Sequence, residues 1–112
     1  MDFEHFCDDL ASDRETGLEM LRLFYDTSVA DMARIESGVI RGSVEDVADG
    51  AHSIKGAAKN LGIGSIQQIA DDLETMCRNA LEGAETAIAA LRKKLELLGV
   101  RLRESNLKEL DI

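Results

Sequence analysis

The 112-residue chain contains no proline and no tryptophan, and its aromatic side chains are three phenylalanines and one tyrosine. Because proline interrupts helices while Leu, Ala, Glu and Arg favour them, this composition favours helices throughout. The hydrophobic content of 45% is enough for a core despite a net charge of −9, and aliphatic side chains must fill most of it. A chain of this length corresponds to a single domain, residues 1–112.

Basic residues are also in the minority, with 13 Lys and Arg against 22 Asp and Glu. This balance argues against a nucleic-acid partner, because binding to phosphates requires clustered basic side chains. No apolar run approaches the ~20 residues of a membrane helix. The acidic start, Met1–Glu4, lacks the charged and apolar regions of a signal peptide. We therefore predict a cytoplasmic protein that binds neither nucleic acid nor membrane.

Only two cysteines are present, Cys7 and Cys77, and neither belongs to a CxxC pair. Both fall at apolar helix positions, so we predict buried free thiols. A metal site at His5, Cys7 and Asp8 lacks the ligand spacing of zinc sites. A metal-binding bundle would need inward-facing Glu and His pairs, which the apolar stripes do not contain. We expect the chain to have no metal or cofactor of its own.

Glycine and serine divide the chain into five amphipathic helical stretches, with Ser43 and Ser65 as predicted N-caps and a capping-box pattern from Ser12 to Glu15. The predicted helices cover residues 3–10, 13–41, 44–61, 66–80 and 84–105. The four long helices must bury their apolar stripes on one another, and their short connections make sequence neighbours antiparallel. This pattern predicts an all-α fold, an up-down antiparallel four-helix bundle with the short N-terminal helix capping one end.

His52 lies on the polar face of the third predicted helix and should be exposed to solvent. Lys55, at i+3, can place its ammonium near a charge developing on the imidazole, and Lys59 extends the positive strip by one turn. Gly56, at i+4, costs about 1 kcal/mol relative to alanine in a helix. It provides either access for another protein or a packing notch for a neighbouring helix. The remaining residues of this face are Glu45, Ala48 and Asp49.

A hairpin of the third and fourth helices centred near Ile63 would bring Glu74 to the level of His52. Glu74 could then accept a hydrogen bond from one ring nitrogen and leave the other nucleophilic. Asp71 and Arg78 would lie one turn to either side. Arg78 could bind phosphoryl oxygens, whereas Asp71 is better interpreted as a solvated surface charge.

The segment Ala51–Gly62, AHSIKGAAKNLG, resembles the signature of histidine-containing phosphotransfer (HPt) domains. That signature is approximately His-x-(Leu/Ile)-Lys-Gly-x-(Ala/Ser)-x-x-(Leu/Ile)-Gly, and the chain matches every defined position. The pair Leu73 and Glu74 also resembles the following helix of the family. Outside residues 43–82 the similarity is one of helix pattern.

The resemblance implies a four-helix bundle with an exposed phosphoacceptor, here His52. It also implies that Lys55 stabilises the phosphoryl group and that Gly56 gives a partner access to the imidazole. Glu74 takes a place often held by Gln or Glu facing the histidine. We expect three residues to neighbour the phosphoryl group or the partner: Lys59, Glu74 and Arg78.

The implied reaction is reversible phosphoryl transfer between the aspartyl phosphate of a receiver domain and His52, within a two-component phosphorelay. Expected partners are response-regulator receiver domains and a hybrid sensor histidine kinase, with Mg²⁺ bound in the receiver. We expect a monomeric carrier without kinase activity, because 112 helical residues leave no room for a nucleotide-binding sheet. The alternative is a non-catalytic helical adaptor that docks a signalling partner through the same surface.

Overall fold

The structure is a computed structural model that describes residues 2–104. This part of the chain is all-helical, which confirms the fold class predicted from the sequence. The helices in chain order are α1 (Phe3–Asp9), α2 (Arg14–Arg41), α3 (Val44–Leu61), α4 (Gly64–Cys77) and α5 (Ala84–Arg103). None of them is long and apolar enough to cross a membrane. The predicted helix end near Ser105 lies outside the described residues.

Polar side chains at two helix starts explain where those helices begin. The Asp13 carboxylate accepts a hydrogen bond of 2.7 Å from the Thr16 backbone N–H, so Asp13 rather than Ser12 is the N-cap of α2. The Ser43 hydroxyl accepts a hydrogen bond of 3.3 Å from the Asp46 N–H, which confirms Ser43 as the N-cap of α3. These local contacts satisfy backbone donors that have no partner inside the helix.

The predicted boundaries of the fourth helix are wrong at both ends. α4 begins one residue before Ser65, and Ile63 occupies the N-cap position without a side-chain hydrogen bond. Because Ile63 is buried in the core, apolar packing rather than a serine cap fixes the entry to α4. At the other end, Ala80 and Leu81 adopt left-handed φ angles of 56° and 64°. The helix therefore ends at Cys77, and Leu81 turns back to pack against the core.

Helices α2 and α3 pack against each other and run in opposite directions. Gly50 of α3 faces Ile35 of α2. Further along α3, Ser53 donates a hydrogen bond of 2.6 Å to Asp31. Residue numbers therefore rise along α3 while they fall along α2. The packing of α3 on α2 therefore fixes the position of the His52 backbone.

The other helices complete the core. α3 packs on α4, α4 on α5, α5 on α2, and the short α1 on α2.

Both thiols are free and buried as predicted, and burial raises the pKa of Cys7 and of Cys77. Apart from two phenylalanines, the largest fully buried side chains are aliphatic, in agreement with the composition: Leu21, Ile35, Val47, Ile54, Ile63, Ile66, Leu73, Leu91 and Leu98.

Gly50 lies where α3 comes closest to the backbone of α2. A Cβ atom at this position would lie 2.6 Å from the Ile35 Cγ1 and 3.0 Å from the Asp31 carbonyl oxygen. Real side chains do not tolerate such contacts, so the close approach of the two helices requires glycine.

We predict that Gly50→Ala lowers the free energy of unfolding by about 1–3 kcal/mol, because the added methyl group overpacks the α2–α3 interface. Urea denaturation monitored by circular dichroism would measure the change. The matched control is Gly56→Ala in the same helix, where an added Cβ would meet no other part of the described structure within 4 Å. That variant should instead gain about 0.5–1 kcal/mol. Equal effects of the two substitutions would contradict the assigned packing.

Candidate functional site

His52 stands on α3 on the side that faces α4. Its side chain is 71% exposed, and its Nδ1 lies 2.7 Å from Oε2 of Glu74. An ionised carboxylate only accepts hydrogen bonds, so Nδ1 carries the proton in this contact. In the neutral imidazole, Nε2 is then left with its lone pair. The contact predicted from the hairpin register is therefore present.

The Glu74 carboxylate is shared between the imidazole and an ammonium group. Its second oxygen, Oε1, lies 2.5 Å from Nζ of Lys55. Glu74 is only 17% exposed, but the hydrogen bond from Lys55 lowers the pKa of this carboxyl below its ordinary value of 4.5. The hydrogen bond from His52 acts in the same direction, against the opposing effect of burial. Glu74 is therefore an anion at neutral pH.

Lys55 is held by two carboxylates. Besides Glu74, its Nζ lies 3.4 Å from Oδ1 of Asp71, and its side chain is 26% exposed. The hydrogen bond to Glu74 raises the pKa of the Lys55 ammonium, and Asp71 adds to the effect. The interpretation of Asp71 as a solvated surface charge is therefore incomplete, because this half-exposed side chain contacts Lys55. We call His52, Lys55, Asp71 and Glu74 the His52 cluster.

Gly56 opens the surface beside the cluster. Within residues 2–104, and apart from its chain neighbours and the adjacent backbone of α3, no atom lies within 4 Å of the position that a Cβ would take there. This excludes the packing notch that the sequence left open, since no neighbouring helix fills the space. It leaves an unobstructed approach along α3, one turn from His52.

Lys59 and Arg78, the other two residues predicted to neighbour the phosphoryl group or the partner, are exposed cations. Lys59 lies in the last turn of α3, and Arg78 is the C-cap residue of α4. Among residues 2–104, neither side chain forms an ion pair. The structure therefore does not bring them into the His52 cluster, and both charges are available at the surface around it.

The second histidine lies away from this arrangement. His5 is on α1, where its Nε2 lies 3.3 Å from the Asp9 carboxylate, and both side chains are exposed. Within the part of the chain that the structure covers, no three His, Cys, Asp or Glu side chains are grouped to hold a metal ion. The cluster around His52 is therefore the candidate functional site.

One contact beside the cluster was missed from the sequence. The Ser53 hydroxyl, next to His52, donates to the Asp31 carboxylate of α2. The same symmetric hairpin register that brings Glu74 to His52 predicts this contact, because Asp31 and Ser53 are equally distant in sequence from Gly42. This bond ties the residue that follows the histidine to a second helix.

A comparison with known families agrees with this site. The model of the Hpt domain family matches residues 19–100, which include α3, α4 and the whole His52 cluster. The chain therefore belongs to the Hpt domain family. No curated protein and no solved structure matches it significantly. Membership of this family implies histidine phosphotransfer in phosphorelays.

We predict that Glu74 makes the free energy of unfolding depend on pH. Because its pKa is lower in the folded state, the stabilisation is complete above the ordinary Glu pKa and is lost as pH falls through the lowered one. The free energy of unfolding of the wild type should therefore fall more steeply on acidification than that of Glu74→Gln. Urea titrations at a series of acidic pH values would measure this. Parallel curves would show that Glu74 is not held as an ion.

Proposed function

We propose that this chain is a histidine phosphotransfer protein of a two-component phosphorelay. It accepts a phosphoryl group from a receiver-domain aspartate on His52 and passes it to another receiver. The observation that carries the proposal is an exposed imidazole whose Nδ1 is bound by Glu74, in a chain of the Hpt domain family. The exposure allows a protein-bound phosphate to reach the ring.

We further propose that α2–α5 form an up-down antiparallel four-helix bundle capped at one end by α1, and that residues 1–112 are one domain. Three pairs of helices support this arrangement. Helices α2 and α3 run in opposite directions, and so do α3 and α4, because His52 contacts Glu74 while Lys55, further along α3, contacts Asp71. Tyr25 packs on Gly99, while Glu36 bonds to Arg92, so α2 and α5 are also opposed.

The proposed reaction is an in-line displacement at phosphorus. The Nε2 lone pair of His52 forms the N–P bond while the bond between phosphorus and the aspartyl oxygen breaks, and the aspartate leaves as a carboxylate. Nδ1 keeps its proton, so the imidazole gains a positive charge that the Glu74 carboxylate faces. Reversal of the same steps returns the phosphoryl group to a receiver.

Cations and access assist this transfer. The transition state spreads negative charge over three equatorial oxygens, which Lys55 stabilises as the nearest cation. Lys59 and Arg78 attract the phosphoryl group or an acidic partner surface, and Gly56 leaves room for the partner.

The Mg²⁺ belongs to the receiver, and the kinase activity to a hybrid sensor kinase. The chain itself acts as a monomeric cytoplasmic carrier.

We predict that a receiver charged with a small-molecule phosphodonor labels the wild type with acid-labile, alkali-stable phosphate. His52→Gln should remain folded and take no label, whereas His5→Gln should be labelled like the wild type. Label on His52→Gln, or no label on the wild type with any receiver of the same genome, would refute the carrier function. Binding and signalling that survive His52→Gln would identify the adaptor instead.

We also predict that Gly56→Leu slows transfer at least tenfold, equivalent to about 1.4 kcal/mol, because its side chain fills the approach beside His52. The fold should be unaffected, since the added atoms point into open space. Gly56→Ala, with one added methyl group, should retain more activity than Gly56→Leu. Rapid-quench kinetics would measure the rates and thermal unfolding the stability. Transfer by Gly56→Leu at the wild-type rate would contradict the role of the opening.

A further inference from the structure

A groove runs along the surface between α2 and α5, away from the side of α3 on which His52 faces α4. It consists of two open cavities of about 360 and 350 Å³, and Tyr25 lines both of them. Small side chains leave this space between the helices, with Val29 and Ala33 on α2 and Gly99 on α5. We call it the α2–α5 groove.

The α2–α5 groove is long and has an apolar floor. The residues of α2 that line it extend from Arg22 to Glu36, a rise of about 21 Å or about four helical turns. Val29 is 43% exposed there. Three further apolar side chains complete the floor: Met32, Leu95 and Leu102. An apolar strip of this length between two helices has the shape that binds one face of an amphipathic helix.

The charged side chains of the groove have opposite net charges at its two ends. At the basic end, two arginines and one aspartate sum to +1: Arg22, Arg103 and Asp26. At the acidic end, two glutamates and one arginine sum to −1: Glu36, Glu96 and Arg92. A helix has a partial positive charge at its N-terminus and a partial negative charge at its C-terminus. A helix in this groove is therefore favoured in one direction, with its C-terminus at the basic end.

The charge of the whole chain distinguishes a protein helix from other large ligands. Nucleic acids and anionic membranes present one sign of charge over an extended surface, and the net charge of −9 repels them. The carboxylates of the acidic end add to this repulsion. A helix of another protein needs to match only the local pattern of the groove, which has both signs of charge.

We propose that the α2–α5 groove is a docking site for an amphipathic helix of a partner protein, which binds with its apolar face on Val29 and its C-terminus at the basic end. None of the residues that line the groove belongs to the His52 cluster. A protein docked here leaves the imidazole open, so a receiver can bind at the same time. The inference goes beyond the proposed function, because binding in the groove requires no phosphoryl transfer.

Tyr25 allows a direct test, because the chain has one tyrosine and no tryptophan. The probe is a synthetic helix of about 14 residues without Tyr or Trp, held helical by a side-chain cross-link. It has leucines on one face, lysines in its first turn and glutamates in its last turn. It should change the tyrosine fluorescence of the full chain saturably. A second peptide with the lysines and glutamates exchanged should bind about fivefold more weakly or less well still.

Substitutions in α2 locate the binding surface. Val29→Glu should weaken binding of the first peptide about tenfold or more, because it places a charge on the apolar floor. The matched control is Val39→Glu in the same helix, at 42% exposure and outside the groove, which should bind like the wild type. If Val29→Glu does not fold, Ala33→Glu inside the groove and Ala30→Glu outside it provide the same comparison, since both alanines are exposed.

NMR of the side-chain rings completes the test. The bound peptide should shift the ring signals of Tyr25 and leave those of His52 unchanged. Shifted His52 signals would overturn a separate docking site, as would the lack of any saturable change. Equal weakening by Val29→Glu and Val39→Glu would also overturn it. A dimer of the chain alone that sedimentation detects and Val29→Glu dissociates would assign the groove to a second copy instead.

Discussion

The Glu74 carboxylate, bound on one side by the His52 imidazole and on the other by the Lys55 ammonium, joins α3 to α4 at the centre of the site. The contribution of these two contacts depends on the partial burial of the Glu74 carboxylate. In water an ion pair of this kind contributes little, because solvent screens both charges. At 17% exposure the carboxylate is close enough to the core for its partners to matter, while the ring remains open to solvent. One carboxylate can thereby orient an exposed imidazole.

This arrangement depends on how closely the helices approach one another. Gly50 lets α3 settle on the backbone of α2, and the bond from Ser53 to Asp31 fixes the register beside the histidine. Ile54 of α3 and Leu73 of α4 are both fully buried in the common hydrophobic core. The site is therefore built on rigid helices rather than loops, which keeps the distances between its side chains well defined.

Two glycines in the middle of α3 serve opposite purposes. Gly50 is buried and removes a side chain that would collide with α2, whereas Gly56 faces empty space and contributes nothing to packing. Almost any other residue at this open position would make α3 more stable. Gly56 therefore destabilises the helix without improving its packing. The access to the imidazole that we propose for Gly56 would account for this cost, and it is consistent with membership of the Hpt domain family.

The sequence alone determined the helical class, all five helix starts to within two residues, the exposure of His52 and its pairing with Glu74. These follow from local capping, from the period of the helix and from a symmetric hairpin register. Only the tertiary structure decided that Lys55 bonds to Glu74 and Asp71, that Gly56 is open while Gly50 is packed, and that α4 ends at Cys77. Each of these depends on interhelical distance and side-chain rotamers. Residue spacing along one helix does not contain that information.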